Sequence, residues 1–157
     1  MSCGVLTVSD TRTLDTDTSG ARICELLAAD GHTVAARAIL PDDPEPVRAH
    51  VRRLVVEGVE AVIITGGTGL APRDNTYEVV DGLLDKRIDG FGELFRALSF
   101  AEIGTAAMLS RATAGIVGRT VVFALPGSPA ACRLALSRLI LPELPHLVAQ
   151  LKKGPAS

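Results

Sequence analysis

Aromatic side chains are scarce in this sequence. Its 157 residues hold four Phe, one Tyr and no Trp. A base-stacking platform needs several exposed rings, so that class is excluded, and the core must be built from Leu, Val, Ile and Ala. An excess of one charge is also missing. Sixteen basic and 18 acidic residues leave a formal net charge of −2, with a pI near 5.9. A general nucleic-acid binder would be basic, so no nucleic-acid partner is expected. Cys3, Cys24 and Cys132 are far apart and form no CxxC pair, which removes a disulfide framework and a zinc site. Cys24 and Cys132 sit among apolar residues and read as buried core. Three unpaired thiols fit a reducing compartment, so a cytoplasmic location is expected. No run of about 18 apolar residues exists, and a membrane span is not expected. The N-terminus has no basic region and reaches Asp10 early, so no signal peptide is expected either.

Hydrophobic residues make up 47% of the chain, and no linker, repeat or low-complexity tract interrupts them. A chain of this length buries roughly two-thirds of its unfolded surface, enough for one domain over 1–157 without a staple. Hydrophobic periods alternate along it. Val5–Val8 reads as a strand, Ile23, Cys24, Leu27 and Ala28 as a helix face stopped by Gly31, and Thr33–Leu40 as a second strand. Asp43 and Pro44 open a helix carrying Val47, Val51, Leu54 and Val55. Ala61–Ile64 is too short for a helix and reads as a strand buried on both faces. Asn75 and Glu78 have capping-box spacing, as do Ser99 and Glu102, where a bend and restart are expected after the stripe Phe91, Leu94, Phe95 and Leu98. Leu109–Ile116 and Thr120–Leu125 read as a hairpin. Ser128-Pro129 starts a helix, another carries Leu144, Leu147, Val148 and Leu151, and residues 152–157 look like a frayed tail. The expected fold is α/β: a three-layer, mostly parallel sheet with helices on both faces and one antiparallel hairpin strand.

Ligands of such sheets bind beyond the carboxyl ends of the strands, which selects four loops. The first runs from Ser9-Asp10 to Asp17-Thr18-Ser19-Gly20, where Thr18 or Ser19 serves as a helix N-cap or the helix start receives an anion. The second holds Asp42 and Asp43; capping accounts for Asp43 and leaves Asp42 unexplained. The third, Thr65-Gly66-Gly67-Thr68-Gly69, is either a tight turn or a phosphate cradle of backbone N–H groups. It is neither a Walker A loop nor a dinucleotide fingerprint. Arg73 and Asp74 follow it, an arginine able to clamp phosphate oxygens and a carboxylate able to hold a divalent cation. The fourth is Pro126-Gly127-Ser128-Pro129, read as a helix-start anion site or a simple cap. His32, His50 and His146 fall in none of these loops, which weakens nucleophilic catalysis. Thirteen of the 16 basic residues are Arg, of which Arg12, Arg73 and Arg111 lie at or near the loops. Residue chemistry alone points to a polyphosphate ligand with a metal ion.

Taken together, Thr7-Val8-Ser9-Asp10, Asp17-Thr18-Ser19-Gly20, Pro41-Asp42, Thr65 to Gly69, Pro72-Arg73-Asp74-x-Thr76-x-Glu78, Leu109-Ser110-Arg111-Ala112 and Leu125 to Pro129 resemble the MoaB/MogA family of molybdenum cofactor biosynthesis over about residues 5–150. Phe91-Gly92-Glu93-Leu94-Phe95-Arg96 with Ser99 and Glu102-Ile103-Gly104 looks more like the MoaB branch. The family commonly has proline where Tyr77 stands. The resemblance implies a molybdopterin-binding fold and a homotrimer or a hexamer of two trimers. It implies Mg-ATP-dependent adenylylation of molybdopterin with release of pyrophosphate, alongside other enzymes of the pathway. The two functionally important aspartates fall on Asp42 and Asp74, which would place Mg²⁺ on the triphosphate. Ser9, Asp10, Ser19, Gly20, Thr65, Gly66, Gly67, Thr68, Gly69, Arg73, Ser110, Arg111, Pro126, Gly127 and Ser128 would hold molybdopterin and ATP. A non-catalytic carrier or scaffold of molybdopterin is the alternative, and a nucleotide-dependent enzyme with another substrate is a third reading.

Overall fold

The structure is a computed structural model that describes residues 1–154. β1 (Ser2–Val8), α1 (Thr18–Ala29), β2 (Thr33–Leu40), α2 (Pro44–Val56), β3 (Ala61–Thr65) and α3 (Thr76–Leu83) alternate in order. The short β4 (Lys86–Arg87), α4 (Asp89–Ile103) and a 3₁₀ turn (Gly104–Leu109) follow, then β5 (Thr113–Val117), β6 (Thr120–Leu125), α5 (Pro129–Ala135) and α6 (Leu141–Lys152). One six-stranded sheet results, in the order β2-β1-β3-β6-β5-β4. β2, β1, β3 and β6 run parallel, and β5 is antiparallel to both β6 and β4. This is the expected three-layer α/β architecture with its hairpin.

The side-chain period of two distributes the central strands between two cores. Val5, Ile63, Val121 and Phe123 face one, with Ile23, Leu27, Phe91, Phe95, Ile140 and Leu144 from α1, α4 and the C-terminal helices. Leu6, Val62, Ile64, Val122 and Ala124 face the other, with Val47, Val51 and Leu54 from α2 and Val79 and Val80 from α3. β3 and β6 are buried along their whole length, which is why their sequences show no polar alternation. The first core holds the aromatic packing, with Phe91 against Phe123 edge to face at a centroid distance of 5.2 Å. Cys3 and Cys132 are fully buried in it, and burial pushes the Cys3 thiol up to about 11. Cys24 is only partly buried. Among the described residues, no helix is long and apolar enough to cross a membrane.

Several local expectations change. The N-cap of α1 is Asp17, not Thr18 or Ser19. α4 runs unbroken through Ser99, so the bend falls later, at Gly104 with φ 71°. Ser99 is buried and makes no cap, and the helix-favouring residues around it carry the helix on. Asn75 stands at the start of α3 without a side-chain cap; its amide donates to Arg73 O, and Glu78 pairs with Arg111 instead. β5 begins at Thr113, because Leu109 belongs to the 3₁₀ turn. α5 and α6 are joined by a π-type stretch over Leu136–Ile140, just ahead of Pro142 and Pro145. Lys152 closes α6 and sits 2.9 Å from Glu60, so the tail starts later than expected, and its residues 155–157 lie outside the described residues.

Candidate functional site

β1 pairs with β2 on one side and β3 on the other, so the chain reverses its direction of winding between β1 and β3. The loops after these two strands diverge there and leave a crevice. In the first loop, Ser9 Oγ accepts the N–H groups of Thr11 and Arg12 at 3.2 and 3.1 Å. Asp17 is 3% exposed, a burial that demands partners for its charge. It accepts from Thr7 Oγ1 at 2.7 Å and Gly20 N at 3.0 Å, with Arg37 Nη2 3.4 Å away. A Cβ on Gly20 would stand 2.1 Å from Asp17 Oδ2, so this network explains that glycine. Ser19 Oγ donates to Gly127 O at 2.6 Å and ties α1 to the fourth loop.

The glycine loop turns sharply at Gly66 and Gly67, with φ of 95° and 69°. A Cβ on Gly66 would come 2.3 Å from Val8 O. A Cβ on Gly67 would come 2.2 Å from Thr76 Oγ1 and 2.7 Å from Asp42 Oδ2, and one on Gly69 would come 2.6 Å from Asp74 Oδ2. Both aspartates therefore flank this loop. The N–H groups of Gly67, Thr68 and Gly69 meet no acceptor among the described residues, as a phosphate cradle requires. Thr65 Oγ1 donates to Pro126 O at 2.8 Å and Gly66 N to Leu125 O at 3.0 Å, joining the third loop to the fourth.

Asp42 Oδ1 accepts from Asn75 N at 3.2 Å. Burial pushes its carboxyl above the ordinary range; the Asn75 N–H opposes that, while Asp74 and Asp10 reinforce it. Asp74 Oδ2 accepts from Ala71 N at 3.1 Å, which stabilises its own turn. Arg73 grips Asp10 bidentately at 2.9 and 2.8 Å. Asp10 also accepts from Asp42 N, and these bonds hold its carboxyl below the usual range. Arg111 lies behind the glycine loop. Its Nε donates to Thr68 O at 3.2 Å, Nη2 reaches Gly69 O and Asp74 O, and Nη1 pairs with Glu78. Ser128 Oγ caps α5 by accepting from Ala131 N at 3.1 Å.

Two cavities open on this edge and share Gly66 and Gly127. The smaller, about 150 Å³, is polar and is lined by Ser9, Arg12, Thr18, Ser19 and Thr65. The larger, about 430 Å³, has Gly67, Thr68, Gly69, Asp74, Ser110, Pro126 and Ser128 on one side. Phe95, Ile103, Ala106 and Leu109 form its apolar wall, with Ser99 beside them. Of the sequence-selected residues, Ser9, Ser19, Thr65 to Gly69, Asp74, Ser110 and Pro126 to Ser128 line these cavities, whereas Asp10, Gly20, Asp42, Arg73 and Arg111 do not. Gly20 backs onto Asp17, Arg111 supports the glycine loop from behind, Arg73 is engaged with Asp10, and Asp42 flanks the loop beside Gly67. The apolar wall was missed. Ile103 and Leu109 are 59% and 52% exposed there, on a segment where Phe100 and Met108 are exposed too, and hydrophobic periodicity alone does not separate them from core.

Among the described residues, no group of three or more His, Cys, Asp or Glu is placed to hold a metal unaided. Mg²⁺ on a nucleotide needs less, since one or two carboxylates join the phosphates around it. Asp42 and Asp74 are the carboxylates beside the glycine loop, and buried Thr76 Oγ1 beside Gly67 has no hydrogen-bond partner.

A mostly parallel sheet with this glycine-and-aspartate edge is the α/β fold of molybdopterin-binding domains. The profile of the family described as "Probable molybdopterin binding domain" matches residues 4–146. More narrowly, the chain belongs to the MoaB family of molybdenum cofactor biosynthesis proteins. It is 50% identical over 153 residues to molybdenum cofactor biosynthesis protein B of Bacillus cereus, covering 96% of this chain and 90% of that one. A crystal structure of a molybdenum cofactor biosynthesis protein B superimposes with a TM-score of 0.95 at 50% identity, covering 98% and 96% of the two chains. The molybdopterin biosynthesis enzyme MoaB of Thermus thermophilus superimposes at 0.86 with 38% identity, covering 99% of each chain.

Proposed function

We propose that this protein is a molybdopterin adenylyltransferase acting with Mg-ATP. The observation that carries this reading is the pair Asp42 and Asp74 flanking the unpaired N–H groups of Gly67 to Gly69. A protein that only carries an anionic ligand gains nothing from two carboxylates beside it. A phosphoryl-transfer site needs them to hold a cation between phosphates. Asp42 and Asp74 are the residues that would hold Mg²⁺, which when bound would neutralise charge on the triphosphate.

In the reaction, a terminal phosphate oxygen of molybdopterin attacks the α-phosphorus of ATP. A new P–O–P bond forms, the α–β bridging bond breaks, and pyrophosphate leaves with that electron pair. Such a step asks for positioning and charge stabilisation rather than a covalent protein intermediate. The Gly67 to Gly69 N–H groups would bind phosphate oxygens. Arg111 keeps that loop in shape through its carbonyls. The apolar wall of Phe95, Ile103 and Leu109 excludes water and seats a flat ring. Self-association as a trimer or hexamer agrees with the exposed Leu94, Phe100 and Met108 on α4 and its 3₁₀ extension.

Incubation with molybdopterin and Mg-ATP, followed by assay for pyrophosphate, tests the reading. Release that requires molybdopterin supports adenylyl transfer. Molybdopterin binding without release selects the carrier instead.

A further inference from the structure

We infer that Arg12 is the cation that recognises a ligand phosphate in this site, and that this phosphate sits in the small cavity over α1. The inference rests on the reading of the site as one for molybdopterin and ATP. Three arginines lie near the loops, and their partners separate them. Arg73 engages Asp10 through Nε and Nη2. Arg111 is occupied by Glu78 and by three backbone carbonyls. Arg12 has no carboxylate partner among the described residues; its single side-chain bond runs from Nη1 to Thr16 O at 3.2 Å. Its Nε and Nη2 remain available as a fork for two phosphate oxygens.

Placement agrees with availability. Among the described residues, Arg12 is the one arginine lining the small cavity, opposite Ser19, Gly66 and Gly127. Its backbone N–H is held by Ser9 Oγ at 3.1 Å, so the base of the side chain is fixed while Nε and Nη2 have no partner among the described residues. Among the described residues one carboxylate, Asp17, lines the cavity; it is already satisfied by Thr7, Gly20 and Arg37, and repels an arriving anion less than a bare aspartate would. At about 150 Å³ the space suits a phosphate, whereas the larger cavity of about 430 Å³, with its apolar wall, suits a ring. The first turn of α1 adds N-terminal dipole to the same spot.

The test measures dissociation constants of molybdopterin, phosphatase-treated molybdopterin and Mg-ATP for the wild type, Arg12→Gln, Arg12→Lys and Arg73→Gln. Arg12 is exposed, so the variants should melt with the wild type. A lost charge-assisted pair predicts about tenfold or greater weakening in Arg12→Gln. Arg12→Lys should recover part of it. Weakening confined to intact molybdopterin places its phosphomonoester at Arg12; weakening confined to ATP places the triphosphate there. Unchanged affinity for both in Arg12→Gln, or an equal loss in Arg73→Gln, overturns the inference and leaves the reading of the site standing. If the wild type binds neither compound, that reading falls. Inorganic phosphate is then the probe: thermal stabilisation lost in Arg12→Gln upholds Arg12 as an anion site, and stabilisation retained or absent overturns it.

Discussion

The two cavities over the sheet edge share Gly66 and Gly127, yet they are built from opposite materials. The small one is walled by hydroxyls, a helix start and Arg12. The large one sets glycine N–H groups and Asp74 against Phe95, Ile103 and Leu109. Charge is handled differently in each. Around the small cavity the buried carboxylate of Asp17 is saturated with donors. Around the glycine loop the carboxylate of Asp42 has one backbone donor and two acidic neighbours, and burial raises it. The contrast teaches that the carboxylate of one half is satisfied within the protein, whereas that of the other is left with little compensation for its burial.

The largest effect should come from the incomplete half. Asp74→Asn should lower turnover by roughly a hundredfold or more, as loss of a charge-stabilising group does, with molybdopterin affinity unchanged. Pyrophosphate release and equilibrium binding measured on one preparation would separate the two. Unchanged turnover would make Asp74 a turn residue only.

Next comes the loop beside the shared wall. Gly67→Ala places a Cβ against Thr76 and Asp42 at a φ of 69°. Backbone strain of this kind costs about 1–3 kcal/mol, so Tm should fall by several degrees and adenylyl transfer should fail. A variant with wild-type Tm and activity would show that the loop relaxes freely.

Ile103→Asp probes the apolar wall. The side chain is 59% exposed, so stability should move by no more than about 0.5 kcal/mol. KM for the ligand seated there should rise about tenfold while kcat holds, because the wall binds ground and transition states alike.

The smallest effect concerns pH. Burial raises Asp42, so the stability contributed by its protonated form is present below its unfolded pKa and lost as pH rises through the folded one. Ligand-free Asp42→Asn should therefore gain Tm relative to the wild type as pH increases across that window. The acid limb of wild-type kcat/KM, which reports the free enzyme, should lie above the ordinary carboxylate range. Melting curves and rates across pH 3–7 would show both.

Much of this was legible in the sequence. Thr33–Leu40 and the Asp43 cap of α2 appear as read, because each signal is local. All four loops reach one edge because the parallel topology puts them there. What escaped depends on contacts between distant residues. Asp17 outcompetes Thr18 and Ser19 as cap because Thr7, ten residues earlier, helps to hold its carboxylate. Ser99 and Glu102 mimic a helix start, but Ser99 is buried beside the large cavity instead. β4 has two residues and no periodicity to read. The engagement of Arg73 with Asp10 joins residues 63 apart, and an unpaired arginine cannot be told from a paired one in the sequence.

The most direct test follows label from α-phosphate-labelled ATP in a single turnover with molybdopterin and Mg²⁺. The account predicts that the label moves onto molybdopterin in the wild type, with unlabelled pyrophosphate released in equal amount, and does not move in Asp74→Asn. Tight molybdopterin binding by the wild type with all label remaining in ATP would contradict it.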